Sequence, residues 1–360
     1  MSSPGSLEQY RGAGALNERQ NDSTKAHTKL IQKINHPPIV EFWIIVEGND
    51  DVIFFSPVFN ERISKIVPLW GKDNVKHIFC QKSLKKTQKV REFFENAENR
   101  NLVNKITRLK GEKKIIGIID LDFNKELNVN NRYTPAHCRD LFVTETNDAQ
   151  ILLLSNYGLT IFIRKLCDEN KVKQFKEQHK IRHLYDQIVI MTNYSGLARY
   201  VNKTLSKKIA GYRSLTFKAL SPEDIFNEYI SETRLLVAKD ILDILFTGNL
   251  NFFNIDFEEE YGKKVSDIQT YFPNRWDVCQ GHDSMRVLLS IQRLVGWDNS
   301  KKSEEQLLEE ISEIFHSRKY AFFKRTTLFS ALKLWERENF PFTTDMFSET
   351  YSTKKDKMLH

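Results

Sequence analysis

EFWIIVEG (Glu41–Gly48) and KIIGIIDLDF (Lys114–Phe123) are the two stretches that decide the fold. Each holds a short, continuous apolar run rich in β-branched and aromatic residues. A strand with one wet face would alternate apolar and polar positions; these do not. Runs of this kind form strands buried on both faces, as in a parallel sheet covered by helices.

The surroundings fit that reading. Asn49, Asp50 and Asp51 follow the first run, and any of them can cap a helix through DVIFFSPVF. VKHIFC (Val75–Cys80) reads as another strand, and residues 83–109 as one or two helices. A polar loop, NKELNVNNRYTP, precedes a third strand, CRDLFVTE (Cys138–Glu145). A helix then starts near Asn147 or Asp148. Strands alternating with helices over 38–160 predict an open α/β sheet of the Rossmann-like kind, flanked by helices. Right-handed crossovers put all the strand carboxyl ends along one edge. From 161 to 345 the apolar period is helical. Ser221-Pro222-Glu223-Asp224 opens one such helix, with Ser as cap, Pro in the first turn and acids beside the positive end. Residues 1–27, polar and Gly/Ser-rich, and 346–360 read as flexible tails. No internal repeat is visible.

Composition narrows the class. The chain has 360 residues, 40% of them hydrophobic, with 25 phenylalanines, enough apolar material for a real core. Its formal charge of +7 suits a polyanionic partner without identifying one. Four scattered cysteines, Cys80, Cys138, Cys167 and Cys279, form no C-x-x-C pair, which argues against a zinc cluster or a disulfide framework. No run approaches the ~20 apolar residues of a membrane helix. No signal-peptide core is present either, so the expectation is a cytoplasmic protein with no membrane partner. The P-loop, the dinucleotide-binding glycine pattern and the G-x-S-x-G elbow are all absent from the sequence.

The chemistry sits in three acids. Glu47 ends one buried strand, and Asp120 and Asp122 end another. Ligands of such sheets bind just beyond the strand carboxyl ends. Residues two apart on a strand share a face, so Asp120 and Asp122 project together. If their strand neighbours that of Glu47, three carboxylates converge. They then repel one another and are costly to bury. A divalent cation relieves both penalties; Mg²⁺ takes oxygen ligands and keeps several waters. Such an ion polarises a phosphodiester and activates water. Alone, either motif is better explained by helix capping; it is the pairing, in this order and after buried strands, that points to a metal.

V-E-G-N-D-D-V followed by I-I-D-L-D-F resembles the Toprim pattern, a glutamate-glycine turn on a first strand and D-x-D on a later one. With LFVTETNDAQILLL and the late CQGHDSMRVLL, the chain is similar to Toprim-domain proteins akin to the nuclease half of the overcoming-lysogenization-defect family. Effectors of an ATPase-linked bacterial anti-phage system are among these. The resemblance covers residues 40–155 and then rests on Gly281-His282-Asp283. It implies a catalytic Toprim-like domain over 38–160 and a helical domain over 161–345. It implies a nuclease acting on DNA or RNA, with Mg²⁺ or Mn²⁺ held by Glu47, Asp120 and Asp122, Glu47 doubling as general base or acid. A separate ABC- or SMC-like ATPase is the implied partner, with a homodimer also open. Family members commonly carry an aspartate and, two residues on, a glutamate. Here Asp148 is followed by Gln150, so the second metal position falls to Asp148 or Glu145, or is weak.

Asp51 fits either a helix cap or a residue orienting the site. Lys86, with Lys82, Lys85 and Lys89, offers phosphate contacts or simply a solvated helix face. His282 and Asp283 fit a turn and cap before a helix, or supports of the crevice. Two other readings remain. One is a D-x-D phosphatase or nucleotidyl-type enzyme, which leaves Glu47 unexplained. The other is a Toprim-like module without turnover that binds an ATPase or nucleic acid, which Gln150 keeps open.

Overall fold

The computed structural model describes residues 42–68, 114–121, 123, 141–230, 234–246, 254–297, 302–317, 322–339 and 345–348. They belong to two compact units. The first takes residues up to Ile119, Pro135–Val143 and Ala331 onward; the second takes Asp120–Thr134 and Thr144–Ser330. The chain passes between the units after Ile119 and after Val143, among other places.

The first unit holds a parallel sheet of four strands: β1 (Phe42–Val46), β2 (Ser64–Pro68), β3 (Lys114–Ile119) and β4 (Leu141–Val143), in the order β2-β1-β3-β4. All five residues of β1 are at most 1% exposed. That is the two-faced burial its unbroken apolar run predicts. Helix α1 (Asn49–Phe55) follows β1 and packs Phe54 and Phe55 into the core. Its start is set by Asp51, whose Oδ2 accepts the Gly48 N–H at 2.8 Å. Asp51 is thus a cap, offsetting one orphan donor of the helix end.

β2 was not legible as a strand. SKIVP carries Ser, Lys and Pro, and among the described residues it pairs only with β1. An edge position tolerates such residues, because only one side of the ladder must be satisfied. The strand expected at Val75–Cys80 and the helices expected over 83–109 lie outside the described residues. The tail expected from 346 is corrected at its start. Met346 and Phe347 are at most 1% exposed, Phe347 stacks on Phe59 at 5.6 Å, and Asn60 N–H donates to Met346 O at 2.9 Å. Two apolar side chains in a polar segment suffice to anchor it.

The second unit is helical among its described residues, as the periodicity predicts. It contains α2 (Ala149–Leu153), α3 (Glu169–Gln178), α4 (Leu184–Lys208), α5 (Ala238–Leu245), α6 (Ile255–Ser266), α7 (Gly281–Val295) and α8 (Glu304–His316). Long α4 is its centre, with α5, α6 and α7 packed along it. Gly196 makes the closest approach: a Cβ there would lie 1.7 Å from Val278 O. Ser221 caps the turn at Pro222 by accepting the Asp224 N–H, as the sequence indicated.

Candidate functional site

The sheet supplies the frame. Ile45 is level with Gly117 in the parallel β1–β3 pair. Glu47 is the residue that follows the last residue of β1, and Asp120 the residue that follows the last residue of β3. β1 is followed by a strand on one side and neighboured by β3 on the other, so the strand order reverses between β1 and β3. In open α/β sheets this switch point is where ligands bind. Glu47 is only 4% exposed, and a carboxylate so placed needs a cation or donors to offset its desolvation. Asp120 is half-buried. Asp122 lies outside the described residues, as does Lys86.

The second unit shows what fixes the D-x-D segment after β3. Thr144 Oγ1 accepts the Leu121 N–H at 3.2 Å, and Asn147 Oδ1 accepts the Phe123 N–H at 2.9 Å. Asn147 Nδ2 donates onward to Asp277 O and Cys279 O, each at 2.8 Å. Phe123 adopts a left-handed φ of 62°. That conformation costs a non-glycine residue roughly 1–2 kcal/mol. Its ring is 2% exposed and meets Tyr200 edge-on at 5.7 Å, which offsets the strain. Two side-chain acceptors and a buried ring thus fix the strained turn immediately past D-x-D. The sequence reading did not single out Thr144 and Asn147 as holding this turn; the polar run T-E-T-N after β4 was the available signal.

The other predicted residues make well-defined contacts of their own. Asp148 caps α2 through Oδ1, which accepts the Ile151 N–H at 2.8 Å, while Oδ2 accepts the Gly281 N–H at 2.6 Å. One carboxylate thus sits at the starts of α2 and α7, where both helix dipoles favour negative charge. Each oxygen accepts one backbone N–H, and together they bracket the two helix starts. The bracket also requires glycine at 281, where a Cβ would stand 2.4 Å from Asp148 Oδ1 and 2.7 Å from Gln150 Oε1. Glu145 Oε2 accepts the Thr327 N–H at 2.6 Å as well as its hydroxyl, and so caps another helix start.

Asp283, 2% exposed, accepts from Ser195 Oγ and, in a fork, from Arg199 Nε at 2.6 Å and Nη2 at 3.0 Å. It ties α7 to α4. His282 bonds Glu304, which also accepts from Arg286 Nε at 3.2 Å. Burial pushes the Glu304 carboxyl up, but its bond to His282 and the charges of His282 and Arg286 outweigh this and hold it below the usual carboxylate range. The Cys279 thiol is pushed up to about 12 by burial, as is Cys167, so neither is a nucleophile.

Among the described residues, no helix is long and apolar enough to cross a membrane. Compared with known proteins, the chain matches no family model, no curated protein and no solved structure.

Proposed function

We propose that the protein is a divalent-metal-dependent nuclease of the Toprim type, hydrolysing phosphodiester bonds in DNA or RNA. The observation that carries this reading is the strand order. β1 and β3 are parallel neighbours at the point where the order reverses, and the chain places Glu47 directly after one and Asp120 directly after the other.

The donor set suits Mg²⁺ or Mn²⁺: hard carboxylate oxygens, few in number, at a sheet edge. Glu47, Asp120 and Asp122 would hold the ion, with Asp148 the further ligand that the resemblance implies. When bound, the ion supplies charge to the phosphoryl oxygens and lowers the pKa of a water. The chain's own residues do the rest. Glu47, already desolvated, accepts the proton of the attacking water. Asn147 and Thr144 hold the Leu121 and Phe123 amides, so the D-x-D backbone is set before substrate arrives. The setting implied by the resemblance, anti-phage defence beside an ABC- or SMC-like ATPase, belongs to this proposal.

The experiment is incubation with supercoiled plasmid and with a structured RNA, each with Mn²⁺ or Mg²⁺ and with EDTA. Cleavage that needs the metal and drops at least 100-fold in both Glu47→Ala and Asp120→Ala supports the reading. Cleavage that survives either substitution or EDTA refutes it. Release of phosphate from a small monoester without nucleic-acid cleavage points to the D-x-D phosphatase instead.

A further inference from the structure

Gln187 to Pro222 contains no Asp or Glu, although the chain's average acid content would put about five there. The same stretch carries Arg199, Lys203, Lys207, Lys208, Arg213 and Lys218. Its first part is α4. Its second, residues 209–220, is neither helix nor strand and lies largely exposed. This strap is nevertheless fixed. Gly211, at φ +81° with open space around it, turns the chain away from α4. Asn202, 8% exposed, then clamps Leu215 on both sides, accepting its N–H at 2.9 Å and donating to its carbonyl at 2.8 Å. Lys218 N–H donates to Leu245 O at 3.0 Å, and Arg199 Nη2 to Lys218 O at 3.0 Å. Arg199 is itself held by Asp283 and lies over the Phe217 ring at 5.7 Å.

The end of α4 and the strap thus present Lys208, Arg213 and Lys218 on a backbone with little entropy left to lose, and none of the three enters an ion pair among the described residues. The line of cations starts at the D-x-D turn, since Lys203 Nζ lies 5.5 Å above the ring of Phe123. From this we infer that the end of α4 and the strap form a track for the phosphate backbone of a nucleic-acid strand, running from the turn that follows Asp120. The inference rests on the nuclease reading for the identity of the polyanion. Sequence-independent backbone contacts of this sort bind by releasing counterions and so weaken steeply with salt.

The test is fluorescence anisotropy with labelled 30-nucleotide single-stranded DNA and RNA of one sequence, in EDTA, from 0.05 to 0.3 M NaCl. The variant is Lys208→Gln/Arg213→Gln/Lys218→Gln; the control, Lys173→Gln/Lys180→Gln/Arg182→Gln, removes the same charge from exposed positions elsewhere in the unit. Three lost phosphate contacts reduce the slope of log affinity against log salt by about 2 and the affinity about 50-fold at 0.15 M salt, with the control near wild type. The melting temperature stays unchanged, because all six residues are exposed. A track variant that binds like wild type, or no better or worse than the control, overturns the track. So does wild type that binds anionic vesicles but neither oligonucleotide. Because no turnover occurs in EDTA, the two ideas separate. Binding lost in the track variant of a protein that never cleaves keeps the track and defeats the nuclease reading; cleavage with unaltered binding in that variant does the reverse. The arm that binds more tightly identifies the polymer.

Discussion

Removing either partner of the Arg199–Asp283 pair destabilises the protein unequally, and the inequality follows from exposure. Asp283 is 2% exposed, whereas the Arg199 side chain is 26% exposed. Arg199→Ala leaves a buried carboxylate with the Ser195 hydroxyl and the start of α7 as its remaining support. Truncating one side of a buried pair costs about 3–5 kcal/mol, chiefly for the charge left behind. Asp283→Ala leaves a guanidinium that can turn to water and still reach Lys218 O, so screening reduces its cost to about 2 kcal/mol. The double variant strands no charge. Its cost therefore falls short of the sum of the two by about 2 kcal/mol, the coupling a double-mutant cycle isolates. Arg199→Lys does not restore the pair, because the carboxylate accepts from two nitrogens of a rigid fork. The assay is urea unfolding followed by tryptophan fluorescence, read as a midpoint shift at constant slope. Single costs below about 1 kcal/mol that simply add would refute the reasoning, as would a larger loss for Asp283→Ala than for Arg199→Ala.

Gly281→Ala puts a methyl 2.4 Å from Asp148 Oδ1 and is expected to cost about 3 kcal/mol by overpacking and loss of the charge-assisted Gly281–Asp148 bond, measured in the same urea assay. Asn147→Ala leaves the Phe123 N–H and the Asp277 and Cys279 carbonyls short of a partner, a cost of about 2–4 kcal/mol. If the turn positions Asp120, any cleavage falls more than 10-fold at temperatures where the variant is still folded; cleavage at the wild-type rate would deny Asn147 that role. Cys167 and Cys279 stay unreactive to a thiol-disulfide reagent at pH 8 until the protein unfolds. Their folded pKa is raised to about 12, so the stabilisation they contribute is intact below pH 9 and lost above it, about 1.4 kcal/mol each by pH 10. Wild type therefore loses stability faster than a Cys167→Ala/Cys279→Ala variant between pH 8 and 10; parallel pH curves would contradict this.

The sequence by itself determined the parts of this protein that depend on local pattern. The unbroken apolar runs at Phe42–Val46 and Ile115–Ile119 could only be satisfied with both faces covered, so a parallel sheet was legible. Helical periodicity marked the second unit, and Ser221-Pro222 announced a cap because caps act within one turn. Tertiary structure decided what depends on distant neighbours. β2, rich in polar residues, is a strand only because β1 lies beside it, and Met346–Phe347 are core only because Phe59 is there to stack on. Aspartates look alike in sequence, since an oxygen at a strand end can cap, bracket or pair. Packing sent Asp51 to a cap, Asp148 to two helix starts and Asp283 to Arg199, each time because a carboxylate withdrawn in part or in full from water takes the nearest donors that offset its desolvation.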